Sequence, residues 1–92
     1  MALSGITHLT TAGVVYPLGT EQVNGPLMVQ SFESNSGLIT VGDAGLDDPN
    51  VYTGIMLEAG EMLEFQYVSN LSNLYVMANA DNSRVRWLVL NI

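Results

Sequence analysis

Glu58, Glu61 and Glu64 have the spacing closest to chemistry, since a facing pair of carboxylates is the machinery of glycoside hydrolysis. Their surroundings point elsewhere. Glu58 and Glu61 flank Ala59-Gly60, a turn sequence, and Glu64 alternates with Leu63 and Phe65, which puts it on the outer face of a strand. Three solvated carboxylates are expected. His8, the single histidine, stands without the nucleophile and orienting partner that a catalytic base needs. Asp43, Asp47, Asp48 and Asn50 share one segment and carry the hard oxygens that Ca²⁺ prefers. No glutamate closes that segment at the distance an EF-hand loop requires, so it reads as a solvated acidic loop. Gly42-Asp43-Ala44-Gly45 is followed by no Lys and opens no helix, which removes a phosphate loop. With no Cys there is neither a thiolate metal site nor a disulfide. No catalytic residue, metal or cofactor is expected, and the chain is read as a non-enzyme.

The chemistry left is that of contact. In Arg84-Val85-Arg86-Trp87-Leu88-Val89-Leu90-Asn91-Ile92, Val85, Trp87 and Val89 fall on one side of a strand and Arg84 and Arg86 on the other. Beyond Arg86 the polar side disappears, because Leu88 and Leu90 take its positions. A strand apolar on both sides needs cover on both. A chain of 92 residues has little mass to supply a second cover, which points to another chain.

Composition agrees. Charged residues are 12% of the chain, about half of what soluble domains usually carry, while hydrophobic residues are 48%. A permanent interface would hide part of so apolar a surface. The net charge of −7, with two arginines and no lysine, excludes a phosphate-binding patch and docking on an anionic membrane. No run approaches the ~20 apolar residues of a membrane span. The opening Met-Ala-Leu-Ser-Gly-Ile-Thr-His lacks a basic start and an apolar run, so the chain is expected to be made in a cytoplasm without secretory export. The sequon Asn70-Leu71-Ser72 has no meaning without that route.

The elements that must position the contact residues are strands. Nine glycines interrupt the chain, and no long window keeps a helical period. Seven strands are predicted: Gly13–Leu18, Leu27–Glu33, Leu38–Gly42, Tyr52–Leu57, Met62–Val68, Leu74–Ala80 and Arg84–Asn91. Glu33–Gly37 and Glu58–Glu61 offer hairpin turn residues, Asn79–Ser83 joins the last two strands, and Asp43–Val51 is expected to cross between sheets. The pattern predicts an all-β sandwich or jelly roll over residues 26–92. Leu63, Phe65, Leu74, Val76, Ala78, Val85, Trp87 and Val89 face inward, leaving Tyr75 and Met77 on an outer face with Arg84 and Arg86 alongside. Residues 1–25, broken by Gly5, Gly13, Gly19 and Gly25, are expected to form an extended N-terminal arm with one short strand near Val14–Tyr16. That arm would lie on a neighbouring subunit.

From Leu27 to Leu90 the chain resembles small virion proteins of tailed bacteriophages that decorate, or cement, the capsid. The resemblance runs through Val29-Gln30-Ser31-Phe32, Asn35-Ser36-Gly37-Leu38-Ile39-Thr40-Val41-Gly42, Leu57-Glu58-Ala59-Gly60-Glu61, Leu74-Tyr75-Val76-Met77-Ala78 and Val85-Arg86-Trp87-Leu88. It implies a β-sandwich without catalytic residues that binds major capsid proteins on the virion surface, often as a homotrimer at a local threefold.

The expected function is therefore structural: a capsid decoration protein that bridges major capsid proteins. Tyr75, Met77, Leu88, Leu90 and Ile92 are the expected oligomer interface; Leu3, Ile6, Leu9, Val14, Val15 and Tyr16 are the expected capsid-docking arm. A tail, neck or head-fibre component is the alternative within the virion. A carbohydrate-binding sandwich is the alternative outside it, with Tyr52, Tyr67, Tyr75 or Trp87 as a stacking platform.

Overall fold

Alternation along one strand sets the inner wall. In the final strand, Ser83–Val89, the side chains of Ser83, Val85, Trp87 and Val89 are buried and those of Arg84, Arg86 and Leu88 are exposed. The computed structural model describes residues 4–43 and 54–89. In chain order the strands are β1 Ser4–Leu9, β2 Val15–Pro17, β3 Gln22–Ser31, β4 Ile39–Gly42, β5 Ile55–Leu57, β6 Met62–Asn70, β7 Tyr75–Ala78 and β8 Ser83–Val89, with one 3-10 turn at Leu71–Asn73.

The strands form two antiparallel four-stranded sheets, in the orders β1-β8-β3-β6 and β2-β7-β4-β5. The chain changes sheet at every connection except β4 to β5, which is the winding of a jelly roll. Leu9, Leu27, Val29, Val85 and Val89 from the first sheet meet Ile39, Val41, Leu57, Val76 and Ala78 from the second, and all are buried. Leu63, Phe65 and Leu74 pack on this core from partly buried positions. Leu71, fully buried, closes one end of it. Its turn is capped by Asn70, whose Oδ1 accepts from the Ser72 N–H at 2.9 Å.

Each of the seven predicted strands is present, and an eighth, β1, precedes them. That strand corrects the expected arm. Ser4–Leu9 pairs with β8 over six residues, from Ser4 opposite Leu88 to Leu9 opposite Ser83. β2 pairs with β7, and β3 begins at Gln22, so residues 4–25 belong to the sandwich itself. The glycines that made this region look irregular serve the fold. Gly5 lies opposite Trp87, and a Cβ there would stand 2.5 Å from the indole Cζ2. The ring covers the glycine, filling in side-chain contact that an edge strand otherwise lacks. Gly13, at φ 77°, turns the chain between β1 and β2 and donates its N–H to the Ala78 carbonyl at 2.8 Å.

The turns are corrected too. Residues 33–38 and Glu58–Glu61 cross between the sheets instead of closing hairpins, and residues 79–82, which join the last two strands as expected, cross as well. β4 and β5, on either side of the segment expected to cross, pair within one sheet. In the Glu58–Glu61 turn, the Glu61 N–H bonds the Glu58 carbonyl at 3.0 Å and Gly60 takes φ 86° at the third position. Residues 33–38 and 79–82 are locked to each other: Asn79 Oδ1 accepts from the Leu38 N–H at 2.7 Å, in the space a Cβ on Gly37 would occupy.

Gly5→Ala drives a methyl into the indole of Trp87. It is expected to cost roughly 1–3 kcal/mol, as overpacking of a formed core does. Thermal melting followed by Trp87 fluorescence checks this; an unchanged melting temperature would mean that the ring has room to move.

Candidate functional site

The register of β1-β8-β3-β6 places every outward side chain of the first sheet on a grid. Ser4, Leu88, Met28 and Glu64 form one row across the four strands. Ile6, Arg86, Gln30 and Met62 form the next. His8 and Arg84 begin a third, continued by Phe32, whose N–H bonds the Arg84 carbonyl at 3.2 Å. Ile6, Met62 and Leu88 are exposed by 53%, 58% and 39%, so this face is open in the folded chain. A concavity of about 650 Å³ crosses all four strands, lined by Ile6, Met28, Phe32, Met62, Arg86 and Leu88 among others.

Both cationic side chains of the protein stand here. The Arg86 guanidinium lies 4.4 Å from the Phe32 ring centroid and that of Arg84 5.7 Å from it. Neither has a carboxylate partner among the described residues. Asn35 fixes their arrangement. Its Nδ2 donates to Ser31 Oγ at 2.9 Å and to the Arg84 carbonyl at 2.8 Å, while its Oδ1 accepts from the Arg84 N–H at 2.9 Å. The carboxamide thus continues the β3–β8 ladder for one rung beyond Ser31–Val85. There the side chain stands in for the backbone acceptor of the Arg84 N–H and shares the Arg84 carbonyl with the Phe32 N–H.

The expected interface residues are divided by this geometry. Leu88 is on the open face of the first sheet. Tyr75 and Met77 are on the outer face of the second, so they do not share a face with Arg84, Arg86 or Leu88. Met77 is already buried, as is its neighbour Thr40 in the row Val15, Met77, Thr40, Met56. One patch cannot hold all three expected contacts. Leu90, Ile92 and Leu3 lie outside the described residues, as does the expected acidic loop apart from Asp43.

Of the expected docking arm, Leu9 is fully buried in the core and cannot dock. Ile6 is on the open face and Val14 is exposed, while Val15 and Tyr16 are half-buried. The Tyr16 hydroxyl meets Thr10 Oγ1 at 3.1 Å and the Thr11 N–H at 3.2 Å, and these bonds, that of the Thr10 side chain first, lower its pKa below the usual phenol value. Met28, Phe32, Met62 and Asn35 were not picked out by sequence reasoning. The two-residue alternation of Met28 with Leu27 and Val29 was the available signal.

The other candidates do not gather into a site. Glu61 Oε1 accepts from the Glu58 N–H at 2.7 Å, closing its own turn instead of facing a second carboxylate, and Glu64 points from the open face. Among the described residues no three His, Cys, Asp or Glu groups come together to hold a metal. Trp87 is 6% exposed inside the sandwich, Tyr67 stands on edge strand β6 and Tyr75 on the far sheet, so these three do not form a platform.

No family model and no curated protein matches the chain. Among solved structures it is similar to a protein of the Bacillus endospore appendages, described as a novel family of disulfide-linked pili, with a TM-score of 0.51 and 10% identity over 96% of this chain and 81% of that one. The likeness is one of fold, and this chain has no cysteine.

Asn35→Ala leaves Arg84's N–H and carbonyl without the amide, and Asn35→Asp keeps the acceptor but loses both donors and sets a carboxylate against the Arg84 carbonyl. Each is expected to cost about 1–3 kcal/mol, the price of unmade hydrogen bonds. Denaturant unfolding and the hydrogen-exchange rate of the Arg84 amide measure it; native protection in Asn35→Ala would show that the carboxamide rung carries no stability.

Proposed function

We propose that this protein is a structural subunit that works by association, and specifically a capsid decoration protein of a tailed bacteriophage, attached to major capsid proteins on the virion surface. The observation that carries the reading is the open face of β1-β8-β3-β6. Ile6, Met28, Met62 and Leu88 line one concavity of that face, with Arg86 and Gln30 between Ile6 and Met62, in a chain otherwise sparing with charge. Patches of this kind mark contact surfaces. The jelly roll supports it as an architecture that capsid domains use repeatedly. The virion resemblance of residues 27–90 narrows the assembly to a phage head.

The mechanism is mechanical. Each subunit adds buried area across a joint of the shell. Closed, symmetric repetition multiplies a modest contact into a tight one, which opposes the outward pressure of packaged DNA. Of the aromatic residues named for carbohydrate stacking, Trp87 lies in the interior, Tyr67 on an edge strand and Tyr75 on the far sheet, while Tyr52 lies outside the described residues; the scatter of the three favours assembly over sugar binding.

Heads of the phage that encodes the chain, prepared without it, are expected to take up the purified protein in hundreds of copies and to melt at a higher temperature afterwards. Densitometry of the sedimented heads counts the copies. A handful per particle would move the protein to the tail, neck or a head fibre, and none would end the virion reading.

A further inference from the structure

We infer that the occupant of the open face is a second copy of this chain, docked face to face about a twofold axis that runs parallel to the strands between β8 and β3. The inference rests on the reading of the chain as an assembly subunit and names its first partner.

The grid carries it. Rotation by 180° about that axis lays β8 over the partner's β3 and β1 over the partner's β6, and reverses each row. Leu88 then meets the partner's Met28, and Ile6 meets the partner's Met62. Ser4 meets the partner's Glu64, a hydroxyl against a carboxylate. Arg86 meets the partner's Gln30, and Arg84 meets the partner's Phe32, the ring its own chain already offers to cations. In the first two rows apolar falls on apolar and polar on polar, the third sets a cation on an aromatic ring, and each pair occurs twice, which is the self-complementarity an isologous interface requires. A relative twist of about 30° between the sheets is the ordinary consequence of strand twist.

The size is adequate but small. Three strand spacings of ~4.8 Å by two repeats of ~6.8 Å make a face about 14 Å square between Cα positions. Pairing it removes on the order of 1,000 Å² in total, the lower edge of specific interfaces. A reversible dimer follows, not a permanent one. Each copy carries a net charge of −7, and four guanidinium groups gather at the Phe32 end, so like charges oppose the contact. Added salt screens them and tightens the dimer. The contact has twofold symmetry and differs from the threefold that the virion resemblance implies.

Absence of cysteine makes the geometry directly testable. Ile6 and Met62 sit on opposite edge strands, three spacings or ~14 Å apart within one chain, beyond any disulfide. In the dimer they face each other across the interface. The double variant Ile6→Cys with Met62→Cys, treated with a bis-maleimide shorter than that span, is expected to give a covalent dimer; Ile6→Cys alone is expected to give none. Sedimentation velocity of the unmodified protein from low to high micromolar concentration is expected to show a monomer–dimer equilibrium that shifts toward dimer with sodium chloride. Leu88→Asp is expected to hold it at monomer with an unchanged circular dichroism spectrum. If Leu88→Asp unfolds, the cross-link still decides. A monomer at every concentration overturns the proposal and leaves the face to a different protein, while a trimer or an open ladder of cross-linked species overturns the twofold. Uptake by heads with no dimer in solution sinks this inference alone; a cross-linked dimer that heads ignore sinks only the decoration reading.

Discussion

The position of β8 in the middle of the first sheet is the constraint on which the molecule turns. Hydrogen-bonded to β1 on one side and β3 on the other, it cannot shift by one residue without carrying Val85, Trp87 and Val89 out of the core and Arg84 and Arg86 into it. That register assigns Arg84, Arg86 and Leu88 to one outer face. It also carries over to the neighbours, because paired residues share a side of the sheet. Ile6 and His8, and Met28 and Gln30, face outward for this reason. The open face is thus a consequence of core packing and is made of whatever the sequence placed between core residues.

Two local devices hold that register at its weak points. At the edge, where β1 has a partner on one side only, the indole of Trp87 lies over Gly5 and ties the last strand to the first. Just past the end of β3, where the Phe32 N–H makes the last backbone bond to β8, the Asn35 carboxamide adds a second donor to the Arg84 carbonyl and supplies the acceptor for the Arg84 N–H. It thereby sets Phe32 beneath two guanidinium groups. The same rung that finishes the ladder builds the only cationic corner of an acidic protein.

The two sheets divide their labour. Thr40 and Met77 on the outside of β2-β7-β4-β5 are buried within the chain, whereas Ile6, Met62 and Leu88 on the outside of β1-β8-β3-β6 meet solvent. A small sandwich has two outer faces and little mass to cover either. The outer face of the second sheet is covered in part, with Met56 of the same row still 55% exposed, while that of the first sheet is open along Ile6, Met62 and Leu88. The similarity in fold to an appendage protein at 10% identity shows how widely this scaffold serves unrelated sequences.

The sequence by itself determined the all-β class, the seven strands from Gly13–Leu18 onward and the inward set on β8. These depend on a two-residue period and on turn residues, which are local. It also marked Leu88 as a position lacking the polarity of a solvated strand face. Tertiary structure alone decided the rest. Ser4–Leu9 is short, carries Gly5 and sets polar Ser4, Thr7 and His8 among few apolar residues, so it does not read as a strand; it becomes one because β8 offers an unpaired edge and Trp87 covers Gly5. Asn, Asp and Gly favour a turn whether the chain turns back within a sheet or crosses to the other, so Glu33–Gly37 and Glu58–Glu61 carried no sign of which they do. Tyr75 and Met77 looked like companions of Leu88 because outwardness is legible from alternation. Which of two outer faces a residue occupies is set by pairings between strands far apart in the chain, and a sequence records those only through the fold they produce.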